Sequence, residues 1–362
     1  MAETTIEWTN TIDQLGNSHP GFTFNPWSGC SKVNAGCQFC YAEVNRSVRI
    51  RGVTWGPKGK RIVSSPDYWQ KPLSWNKKAY RLGVRLKVFC ASLSDVFEEI
   101  GTDFVFDHKG NRIFRQFDEN ATLSGNPYID AADHYRVGLP ELRKDLFNLI
   151  DMTPYLDWLI LTKRPQNIPE MWPNTPYPGL QGQFSSEPHP VNKYRPNVWL
   201  GTSISDQETA NAMLPELLKC RDLSPVLFTS YEPALGPVDF TMIRDPNRFP
   251  GCAYFDVLRG RMIHEDDGNR WTKEPHLDQV IVGGESGPNA RPYELDWPRQ
   301  TIKQCAESGI ACFHKQLGSF AWRKSDGGGM NVYFPTRDKK GGDPAEWPED
   351  LRVRQFPVVS AG

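Results

Sequence analysis

Residues 197–234 read NVWLGTSISDQETANAMLPELLKCRDLSPVLFTSYEPA. Two short apolar runs, NVWLGTSIS from Asn197 and PVLFTSYEP from Pro225, end in small or polar residues and flank an amphipathic pattern, SDQETANAMLPELLKC from Ser205. Apolar runs without polar alternation predict strands buried on both faces, as in a parallel sheet. Strand, helix and strand in succession predict a right-handed βα unit.

The same rhythm extends in both directions. Four further runs carry it: KVFCASLSD from Lys87, DWLILTKRP from Asp157, QVIVGGESG from Gln279 and IACFHKQLG from Ile310. Helical patterns lie at PELRKDLFNLIDMTPYLD from Pro140 and at DWPRQTIKQCAESG from Asp296, the latter closing on a Ser-Gly stop. With a first strand from Phe22 to Trp27, the count is about seven, close to the eight of a closed barrel. The expectation is an α/β fold, a partial or complete TIM-like (β/α) barrel in a single domain over residues 1–362. Insertions are expected at approximately 101–139, 172–196 and 241–278. The first and last contain FVFDHKGNRIFRQF and VLRGRMIHEDDGNRW, apolar runs around Lys-Gly-Asn and Asp-Gly-Asn that read as β-hairpins.

Composition narrows the function. A formal net charge of −1 excludes the global positive field of a protein that coats DNA, while leaving room for a local basic patch. No stretch has the length of apolar residues that a membrane helix needs, and the N-terminus MAETTIEWTN lacks the regions of a signal peptide. A soluble, cytoplasmic protein is expected. Eight cysteines, three of them crowded into one segment, suggest metal in a reducing compartment rather than a disulfide framework.

That segment is NPWSGCSKVNAGCQFCYAE from Asn25, with Cys30, Cys37 and Cys40 in C-x6-C-x2-C spacing. Soft thiolates suit an iron–sulfur cluster or zinc, and three ligands leave one iron of a [4Fe-4S] cluster open. An open iron can be chelated by S-adenosyl-L-methionine, whose reductive cleavage yields a 5′-deoxyadenosyl radical. Phe39, just before the last cysteine, is the aromatic that radical enzymes place near the adenine. Their usual spacing is C-x3-C-x-aromatic-C, so the first gap here is longer by three. Gly29 and Gly36 are expected to let the backbone turn around the cluster. The competing reading is a zinc site with a distant cysteine or a histidine such as His19 as fourth ligand. Cys90, Cys220, Cys252, Cys305 and Cys312 read as core or incidental thiols.

In a barrel, residues at the C-terminal strand ends converge on one mouth. Those residues are Ser92, Ser94 and Asp95; Thr162, Lys163 and Arg164; Thr202, Ser203 and Ser205; Thr229, Ser230 and Glu232; Gly283, Gly284, Glu285 and Ser286; Lys315 and Gln316. The methionine end of S-adenosylmethionine is expected near Ser92, Ser94 and Asp95, its ribose near Thr202, Ser203 and Ser205, and its adenine against Phe39. Lys163, Arg164, Glu232, Glu285 and Lys315 are the candidate catalytic groups, the cations among them suited to an anionic substrate. Ser286 in G-E-S-G also resembles part of a G-x-S-x-G elbow, which would make it a nucleophile and His314 its base.

The chain resembles the phage Gp37/Gp68 family (DUF5131, three-Cys-motif proteins). The resemblance rests on IEWT at Ile6, the cysteine segment, SLSDVFE at Ser92, LTKRP at Leu161, VWLGTSIS at Val198, SYEPALGP at Ser230, GGESGPNARP at Gly283 and KQLG at Lys315. It implies a radical S-adenosylmethionine-like barrel, often encoded beside a partner protein, and adds Arg291 to the candidate site. An electron donor protein and a nucleotide or nucleic acid substrate are the expected partners. Trp8, Trp27, Tyr41, Trp55, Trp69 and Trp75, with Arg46, Arg49, Arg51, Lys58, Lys60 and Arg61, would provide stacking and charge for unpaired bases.

Overall fold

Alternation of apolar strand and amphipathic helix builds one curled, open, parallel sheet of seven strands in sequential order. They are β1 (Phe22–Phe24), β2 (Leu86–Cys90), β3 (Leu156–Thr162), β4 (Val198–Ile204), β5 (Val226–Tyr231), β6 (Gln279–Gly283) and β7 (Ala311–Gln316). The computed structural model describes residues 3–116, 134–173, 193–244, 252–264, 268–270, 274–325 and 330–358. Among these, β1 and β7 do not pair with each other, so the barrel is a half-barrel rather than a closed one. The C-terminal segment covers the free edge of β7: the His314 N–H donates to Val353 and the Gln355 N–H to Cys312. An edge so covered offers no template for another chain.

Helix α1 (Lys71–Leu82) connects β1 to β2, α2 (Leu139–Asp151) leads into β3, α3 (Gln207–Leu218) joins β4 to β5, and α4 (Asp296–Ser308) joins β6 to β7. Helix α1 is absent from the sequence reading. Its signals are Pro72 in the first turn, buried positions at Pro72, Trp75 and Ala79, and Gly83 in the left-handed conformation at its end. Helix α3 starts at Asp206, whose side chain accepts from the Thr209 N–H at 2.8 Å.

The pleat of the sheet divides two cores. On the outer face Val88, Trp158, Ile160, Leu200, Leu227 and Val282 pack with Trp75, Phe147 and Leu214 of the helices. On the concave face Phe89, Leu159, Trp199, Phe228, Ile281 and Phe313 form a second cluster, into which Trp8 reaches from the N-terminal turn and Phe356 from the C-terminus. Trp8 meets Phe89 edge to face at 4.8 Å. The hollow is therefore filled with aromatic rings below and left to polar groups at the C-terminal strand ends.

The first predicted strand is shorter than expected. It stops at Phe24, and Trp27–Ser28 turns away past Pro26 to pair with Arg61–Val63. Proline supplies no N–H with which to continue the ladder. In the first insertion, Asp107–Asn111 forms the expected tight turn and Phe106 bridges Arg112 antiparallel as a hairpin does, after which Phe114–Gln116 pairs with His134–Arg136. In the last, Arg261–His264 pairs with Gly268–Arg270 as the hairpin reading has it, and Cys252–Asp256 adds a third strand. Most of the insertion at 172–196 and the side chains of Arg46 and Cys252 lie outside the described residues. No helix among the described residues is long and apolar enough to cross a membrane.

Candidate functional site

The loop that leaves β1 carries all three clustered cysteines across the C-terminal ends of the strands. It is tied down at both ends. Near Cys30, Ser31 is gripped by a buried set of charges: its N–H donates to Glu98 at 2.8 Å, its carbonyl accepts from Arg164 at 3.0 Å and its hydroxyl from Arg61 at 2.9 Å. Arg61 and Glu98 form a two-point ion pair at 2.8 and 2.7 Å, both side chains almost wholly buried. Arg164 bridges onward to Asp95 at 2.9 Å and comes within 3.8 Å of the Cys30 sulfur. Burial, and after it the carboxylates of Asp95 and Glu98, push the Cys30 thiol up to about 12, against the pull of Arg164.

At the other end Arg291 holds the loop to the end of β6. Its guanidinium donates to the Ala35 carbonyl at 2.9 Å, pairs with Glu285 at 2.9 and 2.7 Å and lies 5.2 Å from the centre of the Phe39 ring. Between the two ends Gly36 passes directly over Ser205. A Cβ on Gly36 would stand 2.3 Å from the Ser205 hydroxyl, so this glycine is needed for close approach rather than for a turn. Gly29, with φ +113°, is the one that turns. The Cys37 thiol donates to Asn34 Oδ1 at 3.6 Å, while Asn34 Nδ2 and the Ser205 hydroxyl are buried without a hydrogen-bond partner.

Beneath the loop, five of the strands carry a polar residue or glycine at an inward position at or just past their ends, beyond the apolar layer: Lys163, Ser203, Ser230, Gly283 and Lys315. Lys163 donates to the Ser203 hydroxyl, which donates to the Glu232 carbonyl at 3.0 Å. Lys315 straddles the Glu232 carboxylate at 3.0 and 3.2 Å, and Ser230 donates to it at 3.0 Å. Gly283 makes room for that carboxylate, since a Cβ there would sit 2.6 Å from Glu232 Oε1. Two ammonium groups and one carboxylate leave this floor with a net positive charge.

Several expected site residues lie elsewhere. Thr162, Thr202 and Thr229 sit one residue out of phase with the inward set, so the pleat turns them to the helix side. There Thr202 donates to the Thr162 carbonyl and Thr229 to the Thr202 carbonyl, both at 3.0 Å, so Thr202 does not line the mouth. Asp95 is fully engaged by Thr162, Lys163, Arg164 and Phe97, which makes it a structural anchor rather than a free ligand group. The Ser92 hydroxyl meets Asn25 Oδ1 at 3.2 Å, and the Ser94 hydroxyl is buried without a partner. Gln316 donates to the Gly284 carbonyl at 2.8 Å.

His19 precedes β1 and so lies at the opposite end of that strand from Cys30, bonded to Asp13 at 2.9 Å; it is no ligand beside the cysteines. His314 is wholly buried on the outer face of β7, with Nδ1 against the Leu351 carbonyl at 2.8 Å and Nε2 against the Tyr293 hydroxyl at 3.2 Å. It cannot serve Ser286 as a base. Trp8, Trp27 and Trp75 are core residues, which removes half of the supposed stacking platform. Arg61 is likewise spent on Glu98. Among residues the sequence reading passed over, Glu98 closes the SLSDVFE stretch and Asn34 stands three before Cys37. An acidic residue one short turn after Asp95 was the only available signal for Glu98.

All three cysteines are free thiols, Cys37 buried and Cys30 and Cys40 partly so. Among the described residues, no three cysteine, histidine or acidic side chains stand in an arrangement that holds a metal ion. The chain matches the family described as protein of unknown function DUF5131 over residues 3–123 and 130–346. It belongs to that family. No curated protein and no solved structure matches the chain.

Proposed function

We propose that the chain is a radical S-adenosylmethionine enzyme whose [4Fe-4S] cluster is held by Cys30, Cys37 and Cys40. The observation that carries this is the position of the three-thiol loop across the mouth of a seven-stranded parallel half-barrel, above a charged floor. The donor set suits the group in kind: three soft thiolates from one loop, none spent in a disulfide. The orphaned Asn34 amide and Ser205 hydroxyl beside Cys37 are polar atoms of the kind that bond cluster sulfurs. Loading would draw the three thiols together from their present positions. When bound, the cluster supplies the electron that cleaves S-adenosylmethionine to methionine and a 5′-deoxyadenosyl radical, which takes hydrogen from the substrate.

The residues of the floor have separate tasks. Lys315 and Ser230 fix the Glu232 carboxylate, which in turn can accept from an amino group or a hydroxyl. Lys163, anchored on Ser203, offers positive charge to a carboxylate or phosphate. Phe39, with Arg291 at its ring, is a partly exposed surface for the adenine. The substrate is proposed to be a nucleotide or nucleic acid, and the setting the cytoplasm of a bacterium or phage-infected cell, with a co-encoded partner protein as the phage Gp37/Gp68 resemblance implies.

Anaerobic reconstitution followed by an assay for 5′-deoxyadenosine tests the reading. The wild-type chain should form it in the presence of reductant, and Cys37→Ala should abolish both cluster and product. If Cys37→Ala forms 5′-deoxyadenosine at the wild-type rate, the ligand assignment is wrong.

A further inference from the structure

Where β1, β2 and β3 begin, at the end of the sheet away from the cysteine loop, three chain corners each expose large apolar side chains. Before β1, the hairpin of Thr11–Ile12 with Ser18–His19 presents Ile12 and, at its tip, Leu15, which is 87% exposed. The corner from α1 into β2 presents Tyr80, 65% exposed, and Leu82. The corner from α2 into β3 presents Met152, 63% exposed, and Tyr155. At the starts of β5, β6 and β7 the large exposed side chains are instead Lys219, Asp222, His276 and Glu307. A base that merely faces water has the composition of that second half, and apolar residues gathered on one side of it mark a contact surface.

The three corners form one face. The Tyr80 and Tyr155 rings stand 5.0 Å apart, and the Tyr155 N–H donates to Asn76 Oδ1 of α1 at 2.8 Å. Arg85 donates to the Pro154 carbonyl at 2.6 Å, and its own carbonyl accepts from the Thr11 hydroxyl at 2.9 Å. The last two turns of α1 add Lys77, Lys78 and Arg81. The acids at this end are Glu3, Glu7, Asp13, Asp151 and Asp157, each held by a basic group: Lys78, Arg354, His19, Arg195 and Arg85 in turn. Lys77 and Arg81 are exposed and have no acid in ion-pair reach among the described residues.

We propose that this half of the base docks on an anionic lipid surface. Apolar tips on separate corners, tyrosines among them and cations beside them follow the layering of a bilayer: acyl chains for Leu82 and Met152, the headgroup level for Tyr80 and Tyr155, lipid phosphates for Lys77 and Arg81. A second copy of the chain would bring the same cations against each other. The contact is peripheral and needs no spanning helix. It leaves the cysteine loop and the charged floor, at the other end of the strands, facing the aqueous side.

Flotation of the whole chain with vesicles tests this, using phosphatidylcholine alone and phosphatidylcholine mixed with phosphatidylglycerol. The wild-type chain should float with the anionic vesicles and not with the neutral ones, and added salt should weaken the binding. Lys77→Glu/Arg81→Glu and Tyr80→Ser/Leu82→Ser should each weaken it on the order of tenfold, the first chiefly at low salt and the second at every salt concentration. Arg49→Glu/Lys58→Glu, which changes exposed cations beside the cysteine loop, should float like wild type. All six replaced positions are exposed, and unchanged melting temperatures will show that the variants are folded. A wild-type chain that stays in solution with anionic vesicles overturns the proposal. So do base variants that float like wild type, or binding that only Arg49→Glu/Lys58→Glu removes. A chain that ignores vesicles but binds poly-glutamate through Lys77 and Arg81 overturns it in favour of an acidic protein, and a dimer lost in Tyr80→Ser/Leu82→Ser overturns it in favour of a second copy.

Discussion

The two ends of the cysteine loop are held by the same chemistry under opposite conditions. At Cys30 the ion pairs of Arg61, Glu98, Arg164 and Asp95 lie almost entirely out of water. At Phe39 the pair of Arg291 with Glu285 stands nearer the rim: the carboxylate is 7% exposed, but more than a fifth of the arginine side chain meets water. Buried partners cannot be separated without stranding a charge, whereas a rim pair gives its place to water at small cost. The difference indicates which part of the loop moves when three thiols come together. The Cys30 end is fixed by the interior, and the stretch from Asn34 to Cys40 is the adjustable part.

The comparison breaks most sharply at Arg61. Replacing it in Arg61→Met leaves the Glu98 carboxylate with the Ser31 N–H and, as its cation, only the longer contact to Arg164 at 3.4 Å, and a loss of about 3–5 kcal/mol in chemical unfolding is expected. A loss under about 1 kcal/mol would place the buried anchor in the same class as the rim.

Acid separates both anchors from a third region, the outer face of β7. Burial there depresses His314 to about 4, from an ordinary value near 6.5. Between those values the unfolded chain binds more protons than the folded one, so stability falls as pH drops through that window, by about 3 kcal/mol in all. His314→Gln should flatten this acid slope, and Arg291→Ala should leave it intact. An unchanged slope in His314→Gln would put the acid loss at some other group.

Midway along the loop, Gly36→Ala drives a methyl group into the Ser205 hydroxyl, with a cost of about 1–3 kcal/mol. Ser205→Ala in the same chain should restore most of it, because the remaining contacts, Asn34 Oδ1 at 3.2 Å and the Ser205 Cβ at 3.5 Å, ask for a shift of no more than a few tenths of an ångström. Absence of rescue would mean that the loop and the end of β4 do not meet as described. The smallest effect belongs to the rim: Arg291→Ala should lower the melting temperature by no more than a few degrees, corresponding to under about 1 kcal/mol. A larger loss would make the Phe39 end as rigid as the Cys30 end.

Much of the sheet was legible because strands buried on both faces have no other composition open to them. Six runs, from KVFCASLSD to IACFHKQLG, each contain an observed strand. The site was legible only in part, for a reason of geometry. Consecutive polar residues at a strand end look equivalent in a sequence, yet the pleat sends Ser203 inward and Thr202 to the helices. The Arg61–Glu98 pair spans thirty-seven residues, so nothing local in either segment announces the other. Aromatic residues misled in the same way: Trp8 and Trp27 stand among polar neighbours in sequence, and the fold buries both.

The central claim is that Cys30, Cys37 and Cys40 together hold an iron–sulfur cluster with one iron open to S-adenosylmethionine. Electron paramagnetic resonance of the anaerobically purified, reduced protein, with metal analysis on the same sample, tests it most directly. The account predicts a brown protein with about four irons per chain, and a reduced-cluster signal that changes shape when S-adenosylmethionine is added. A colourless protein carrying one zinc per chain, with no signal in either condition, would contradict it.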